Sequence, residues 1–190
     1  MKKPSGYIEE ALLRLLKENN MDRISVSMVC EECNVSRQTL YYHYDSLIDV
    51  FTGWAGRSIL SEIEENDNYK SWADGFLLML QFYRKYKDEF LNVFRSGYRK
   101  ELESETWSMG TELIGRAVDE ISADYSIPLI PGDRKFMVNF YMDVFSGILK
   151  RYFSNDMEDD PEYIVSRCRV MMDLSIEKTE RELQKLYTRA

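Results

Sequence analysis

The sequence contains no long hydrophobic run: no stretch approaches the roughly 18 uninterrupted apolar residues that indicate a membrane span. Its first residues lead into a helix without the apolar segment of a signal peptide. Only three cysteines occur among 190 residues, and an odd number argues against a secreted disulfide framework and favours free thiols in a reducing compartment. We therefore expect a cytoplasmic protein that makes no contact with a membrane.

Motifs for catalysis and metal binding are equally scarce. There is one histidine, and there is neither a glycine-rich phosphate loop nor an H-E-x-x-H motif. Spacing assigns His43 no serine, cysteine or carboxylate partner for catalysis. Cys30 and Cys33 form a C-x-x-C motif, but a fourth ligand is absent, and two small side chains at i and i+3 of a helix suit core packing. We expect no enzymatic activity, no cofactor and no metal site.

Positive charge is also limited. The chain has 25 Lys and Arg against 33 Asp and Glu, a net charge of −8. Residues 1–50 alone hold six basic and eight acidic side chains and so have a net charge of −2. Because phosphate neutralisation supplies much of the affinity for nucleic acids, any DNA-binding role must be argued from geometry.

Helical periodicity dominates the chain. Ile8, Leu12, Leu15 and Leu16 recur on one face of a helix, and no period-2 strand pattern of useful length occurs. The breaks between helices fall near residues 19–25, 34–36, 66–68, 97, 126–132 and 154–160. We predict an all-α fold of about nine helices, with a three-helix head at residues 1–47 and a larger helical domain at residues 48–190.

Two short helices joined by a tight turn are predicted between Ser25 and His43. Ser25 and Ser36 precede helix-compatible runs and are placed as N-caps, while Asn34 in the turn tolerates a positive φ. This spacing matches a helix-turn-helix. The side chains expected to face inward are Val29, Cys33, Val35, Leu40 and Tyr44.

The opposite face of the second helix remains free. Arg37 with Tyr41, and Gln38 with Tyr42, are i,i+4 pairs that project a polar and aromatic surface toward the position of a major groove. An ordinary three-helix corner is the alternative, since such corners occur in many proteins that never touch DNA. In that case the two tyrosines would be exposed without reason.

This segment resembles the TetR family of bacterial transcriptional regulators, whose recognition helix characteristically ends in Thr-(Leu/Phe)-Tyr-X-His-(Phe/Tyr). Here the run is Thr39-Leu40-Tyr41-Tyr42-His43-Tyr44. The resemblance extends back through Val35-Ser36 and forward into the fourth helix. One departure is Leu47, which stands where family members often have a phosphate-binding lysine.

The resemblance implies specific roles in DNA binding. Base edges would be contacted by Arg37 and Gln38, phosphates by Thr39, Tyr41 and His43, and the DNA backbone by Ser25 and Ser27. The ring of Tyr42 would press on a thymine methyl group or a sugar edge. Arg37 is the best candidate for a bidentate guanine contact.

Aromatic residues concentrate in the middle of the chain, with 17 of the 25 between Tyr69 and Phe153. Core packing is the default interpretation of such side chains. The resemblance nevertheless implies that the larger domain encloses a pocket for an unidentified, largely apolar effector. The candidate pocket residues are Trp72, Phe76, Met79, Leu80, Tyr83, Phe94, Tyr98 and Trp107.

The last two helices, at about 133–154 and 161–187, carry apolar stripes. These stripes are wider than a helix needs when only one of its sides is covered by the rest of the protein. Asp160 and Pro161 are placed as N-cap and first residue of the final helix. We expect the two helices to lie antiparallel and to form a symmetric four-helix interface in a homodimer. The candidate interface residues are Phe140, Val144, Gly147, Ile148, Ile164, Cys168, Met171 and Met172.

Together these features predict a homodimeric, sequence-specific transcriptional regulator, with repression the expected mode. Its partner would be double-stranded DNA with a palindromic operator, whose half-sites lie about one helical turn, roughly 34 to 36 Å, apart. A small-molecule effector would change operator binding through the fourth helix. The alternative, suggested by the acidic head, is a helical co-regulator that acts through a protein partner without binding DNA itself.

Overall fold

The computed structural model describes residues 4–64, 71–124 and 129–189. Within these ranges the chain forms nine α-helices and one short 3-10 helix, with no β-strand. The predicted all-α fold is therefore confirmed. None of the described helices is long and apolar enough to span a bilayer.

The helices follow one another in this order: α1 Pro4–Leu16, the 3-10 helix Met21–Arg23, α2 Val26–Cys33, α3 Arg37–His43, α4 Leu47–Glu64, α5 Trp72–Lys85, α6 Lys87–Phe94, α7 Arg99–Asp124, α8 Pro131–Ser154 and α9 Pro161–Arg189. The caps of α2 and α3 and the start of α9 lie where the sequence predicts them. Asp160 Oδ2 accepts a hydrogen bond from the backbone N–H of Tyr163 at 3.1 Å, as expected of an N-cap.

The break between α5 and α6 is one that the sequence pattern does not predict. It falls at Tyr86, with φ −112° and ψ 38°, in a stretch without Gly or Pro. The ring of Tyr86 packs edge-on against Trp54 and at a tilt against Phe82, with centroid distances of 4.9 Å in both pairs. The break at Tyr86 thus coincides with packing of its ring against α4, and the neighbouring sequence contains no residue that would predict it.

The chain divides into two compact units. The first comprises Met1–Asp67 and Phe82–Thr106, and the second comprises Asn68–Gln81 and Trp107–Ala190. Helices α5 and α7 each contribute residues to both units. The predicted functional boundary after residue 47 stays a prediction.

The core of the first unit joins the three-helix head to α4, α5 and α6. Ile8, Leu12 and Leu16 of α1 are buried. Beside them lies a cluster of rings, in which Phe51–Phe90 and Tyr83–Phe90 are edge-to-face pairs at 5.0 and 4.7 Å. Each such pair contributes about 0.5–1.5 kcal/mol beyond its burial, so the head is packed against a rigid aromatic support.

The second unit is built around α8. Trp72 and Phe76 of α5 pack edge-on against Phe145 at 5.6 and 4.6 Å, and Arg134 of α8 makes a bidentate ion pair with Asp119 of α7, at 2.7 Å for both contacts. The first half of α8 lines a cavity together with Thr179 and Leu183 of α9. Six residues connect the last residue of α8 to the first residue of α9. Therefore α8 and α9 lie antiparallel, as predicted.

Candidate nucleic-acid interface

The helix-turn-helix is formed by α2, α3 and the turn between them. Ser25 Oγ accepts a hydrogen bond from the N–H of Met28 at 3.3 Å, and Ser36 Oγ accepts one from the N–H of Thr39 at 3.0 Å. Asn34 has φ 52° and ψ 46°, the left-handed conformation. The two predicted caps and the predicted turn geometry are therefore confirmed.

The inner face of the helix-turn-helix differs slightly from the prediction. Val29 and Leu40 are completely buried, as expected, whereas Cys33, Val35 and Tyr44 are only half-buried. Cys30, for which the C-x-x-C spacing favours core packing, is buried. Cys30 directly follows the fully buried Val29 on α2, whereas Cys33 is the last residue of the helix.

Both thiols of the C-x-x-C motif sit in packing environments. Burial raises the pKa of Cys30 and of Cys33, and Cys33 Sγ donates to the carbonyl of Val29 at 3.0 Å. Metal ligation requires the thiolate, which this environment disfavours. Across the described parts of the chain, no three His, Cys, Asp or Glu side chains are grouped closely enough to hold a metal ion.

The outer face of α3 points into solvent. Tyr42 is 83% exposed and Tyr41 is 55% exposed, and the rings of Tyr42 and His43 meet edge-on at 5.0 Å. Arg37, Gln38 and His43 are exposed on the same short helix. Thr39 is half-buried, and its hydroxyl lies 2.8 Å from that of Ser36. Five of the eight predicted DNA-binding side chains are therefore exposed on α3.

Arg37 and Ser27 share a contact that the sequence did not predict. The guanidinium of Arg37 donates a hydrogen bond to the hydroxyl of Ser27 on α2. Spacing could not have revealed this, because the two residues are ten positions apart on different helices. Ser27 therefore orients the arginine that begins α3.

Few basic side chains are available for DNA near the outer face of α3. Arg14 of α1 is paired with Glu32 of α2 at 2.8 Å. Leu47, which stands at the family's lysine position, begins α4 and is only 9% exposed. That position serves packing here, and the start of α4 is capped by Ser46, whose Oγ accepts from the N–H of Asp49 at 3.3 Å.

The candidate pocket residues fall in both compact units. In the first unit Tyr83 and Phe94 are buried and Tyr98 is exposed; in the second Phe76 and Leu80 are buried, Trp72 and Met79 are half-buried and Trp107 is exposed. Burial raises the pKa of Tyr83 to about 12, and the guanidinium of Arg99 lies 4.1 Å from the ring centre of Phe94. Their role as pocket walls stays a prediction.

A cavity of about 470 Å³ lies between α8 and α9, and none of those eight candidates lines it. The lining residues are Asp133, Phe136, Met137, Phe140, Tyr141, Thr179 and Leu183. Phe140 was predicted for the dimer interface instead. Sequence periodicity offered no signal for this cavity, because its two walls are separated by about 40 residues of chain.

The candidate interface residues on α8 and α9 are largely open to solvent. Phe140, Val144 and Met171 are 49%, 38% and 73% exposed, and Gly147 is exposed. Ile148, Ile164 and Cys168 are half-buried, and the side chain of Met172 lies outside the described residues. Further exposed apolar side chains on the same helices are Phe136, Tyr163, Val170 and Leu186.

Two family models match this chain. The model for bacterial regulatory proteins of the tetR family matches residues 8–47, and a model for a transcriptional regulator C-terminal region matches residues 70–174. The second match alone covers more than half of the chain. No curated protein matches the chain in sequence.

Solved structures share the fold. The dihydroxyacetone kinase operon activator DhaS superposes with a TM-score of 0.71 at 16% identity, over 91% of this chain and 96% of its own. The fatty acid degradation regulator FadR from Bacillus halodurans superposes with a TM-score of 0.55 at 14% identity, over 88% of this chain and 93% of its own. At these identities the likeness extends to the fold alone.

The family models thus agree with the geometry of residues 25–43, and they account for both the head and the larger helical domain. This family consists of regulators rather than enzymes. The chain is a DNA-binding transcriptional regulator that belongs to the TetR family.

Proposed function

We propose that this regulator binds an inverted-repeat operator as a homodimer through α3, and that a small-molecule effector modulates this binding. The observation that carries the proposal is the outer face of α3. Tyr41 and Tyr42 expose large rings there beside Arg37 and Gln38. Aromatic rings contribute most when they are covered by a partner, and a major groove admits a helix of this kind.

The proposed contacts follow from the position of each side chain on α3. Arg37 is the first residue of the helix, and the N-terminal residues of a recognition helix contact base edges. A bidentate contact from Arg37 to guanine, with Gln38 on an adjacent base, supplies sequence discrimination of about 1–3 kcal/mol per good pair. Contacts to phosphate and the DNA backbone are assigned to Ser25, Ser27, Thr39, Tyr41 and His43, and a contact to a thymine methyl group or a sugar edge to Tyr42.

The exposed apolar side chains of α8 and α9 support the homodimer. Monomeric proteins rarely leave large contiguous apolar patches in water, and Phe136 and Phe140 are stacked side by side with 6.4 Å between ring centres while both face solvent. A twofold axis beside these helices would cover them and pair two copies of α3. Sedimentation velocity at micromolar concentration should give a dimer, and a monomer would refute this part.

The effector is proposed to be small and largely apolar. The concentration of aromatic residues between Tyr69 and Phe153 supports a site with such walls. A thermal-shift screen of apolar metabolites, followed by operator release, tests this proposal. Repression is the mode we propose, and a reporter gene behind the selected operator distinguishes it from activation, the mode for which DhaS is named.

Selection of bound sequences from a random DNA pool tests the DNA-binding proposal directly. An enriched palindrome supports it. Arg37→Ala should then lower affinity by about 1–3 kcal/mol and relax one base position, whereas Arg84→Ala, at an exposed arginine of α5, should change neither. The second candidate function, a co-regulator that acts through a protein partner, is favoured by the net charge of −2 in residues 1–50 and predicts no enrichment.

A further inference from the structure

We infer that Glu9, Tyr44 and Arg57 form a polar latch that fixes the recognition helix α3 against α1 and α4 and thereby sets the operator half-site spacing that the regulator accepts. The inference rests on the proposed operator binding. None of the three residues was predicted to contact DNA. They act on the interface through the position of α3.

The latch joins three helices at the carboxyl end of α3. Tyr44 is the C-cap residue of α3, and its backbone N–H donates to the carbonyl of Leu40 at 3.0 Å. Its hydroxyl donates to the carboxylate of Glu9 on α1. Arg57 Nη2 on α4 donates to Glu9 Oε1 at 2.6 Å and lies 3.4 Å from the Tyr44 hydroxyl.

The central carboxylate is largely removed from water. The side chain of Glu9 is 15% exposed and that of Arg57 is 60% exposed. A carboxylate that has lost most of its hydration depends on its remaining donors, so removing one of them is costly. The Arg14–Glu32 pair of the same head is different, because its side chains are 51% and 40% exposed and such pairs contribute little.

The tyrosine hydroxyl of the latch is a donor at physiological pH. Burial, reinforced by the hydrogen bond to Glu9, raises the pKa of Tyr44 to about 12. The hydroxyl therefore stays protonated at neutral pH and continues to donate to Glu9.

Gly53 provides a second observation in favour of the latch. It lies one turn before Arg57 on α4, and a Cβ added there would lie 3.2 Å from Arg57 Nη1 and 3.8 Å from Nη2. Glycine inside a helix costs about 0.5–1 kcal/mol relative to alanine. Here it leaves a clear path for the guanidinium to run back along α4 toward Glu9.

Fixing α3 matters because the helix is short. It has seven residues, and only Asp45 and Ser46 separate its C-cap from α4. Successive bases are about 3.4 Å apart along a DNA strand. If the base-contacting end of α3 can shift by a fraction of this distance, the protein accepts a spacer that is one base pair longer or shorter. A fixed helix rejects it.

The test uses the full-length protein and the operator found by pool selection, with its spacer unchanged, shortened or lengthened by one base pair. The measured quantity is the ratio of Kd for an altered spacer to Kd for the selected spacer. Arg57→Met and Tyr44→Phe should each lower this ratio about two- to tenfold, with base preference within a half-site unchanged. Arg14→Met, which breaks the exposed ion pair of the same head, should leave the ratio as it is.

A further variant separates positioning from loss of stability. Gly53→Leu introduces a better helix former and obstructs the path of the Arg57 guanidinium. It should lower the spacing ratio like Arg57→Met, while the Tm stays equal to or above that of the unmodified protein. Wild-type ratios in Arg57→Met, Tyr44→Phe and Gly53→Leu would overturn the inference.

Hydrogen exchange of the α3 amides keeps the two proposals distinguishable. In the free protein, Arg57→Met should speed exchange at Leu40 and Tyr44, and Arg14→Met should not. If the pool selection enriches no sequence, the proposed function fails, and the exchange rates still decide whether the latch fixes α3. Unchanged exchange in Arg57→Met would refute the latch independently of DNA.

Discussion

Replacing Asn34 by alanine should destabilise the helix-turn-helix by about 1 kcal/mol. Asn34 has φ 52° and ψ 46°, and in this conformation the Cβ of an L-residue approaches the following carbonyl oxygen at a cost of roughly 1–2 kcal/mol. Asparagine is among the residues that tolerate the left-handed region through local hydrogen bonding, whereas alanine bears the full cost. The native conformation also serves the N–H of Val35, which donates to the Cys30 carbonyl at 3.0 Å, so the turn cannot relax without losing that bond.

Thermal and urea unfolding provide the assay. For a chain of this size 1 kcal/mol corresponds to about 2–4 °C in Tm. Asn34→Gly should stay within about 0.5 kcal/mol of the unmodified protein, because glycine adopts positive φ without strain but gains freedom in the unfolded state. Asn155→Ala is the matched control, since Asn155 is also an exposed helix C-cap but has φ −97°. Equal losses at the two positions would refute the argument from left-handed strain.

Three further predictions concern charge and association. Burial raises the pKa of Glu89, so the folded state loses stability as the pH rises through that pKa. Glu89→Gln should therefore raise the Tm at neutral pH, and the gain should shrink toward about pH 4. A gain in Tm that does not depend on pH would contradict this. Leu47→Lys places a cation at a position that is only 9% exposed, so it should lower the Tm while it steepens the slope of log K against log[salt] by about 0.9; a slope near −10 in the unmodified protein would contradict the expected modest salt dependence. Phe140→Glu should give a monomer in sedimentation at micromolar concentration, while Asn139→Glu, at its exposed neighbour, should leave the dimer intact.

Local features of the fold were predictable because their partners are close in sequence. Ser25, Ser36 and Asp160 each cap a helix by accepting from an N–H three residues ahead, and a short window of sequence contains both partners. The break at Tyr86 was not predictable in this way. Its ring packs on Trp54, 32 residues earlier, and such a contact is only visible once α4 and α5 are in place.

The same distinction applies to the candidate site. The outer face of α3 follows from helical period, because burying Leu40 directs Gln38, Tyr41 and Tyr42 outward. The hydrogen bond of Arg37 to Ser27 and the latch on Glu9 connect different helices, and no spacing rule predicts them. Aromatic content failed to separate pocket from core for a related reason: a buried ring and a pocket wall have the same sequence signature, and only packing distinguishes them.

The acidic character of the head has a physical consequence for how this regulator selects its operator. Non-specific binding is almost wholly electrostatic, so a head with few free cations holds random DNA weakly. The base contacts proposed for Arg37 and Gln38 act at short range and would be affected less, so the ratio of specific to non-specific affinity would rise while both affinities fall. In the proposed dimer, weak binding by each head would make operator occupancy depend on two heads held at a fixed spacing. The exposed faces of α8 and α9 and the position of α3 would then matter as much to DNA binding as the side chains proposed to contact the bases.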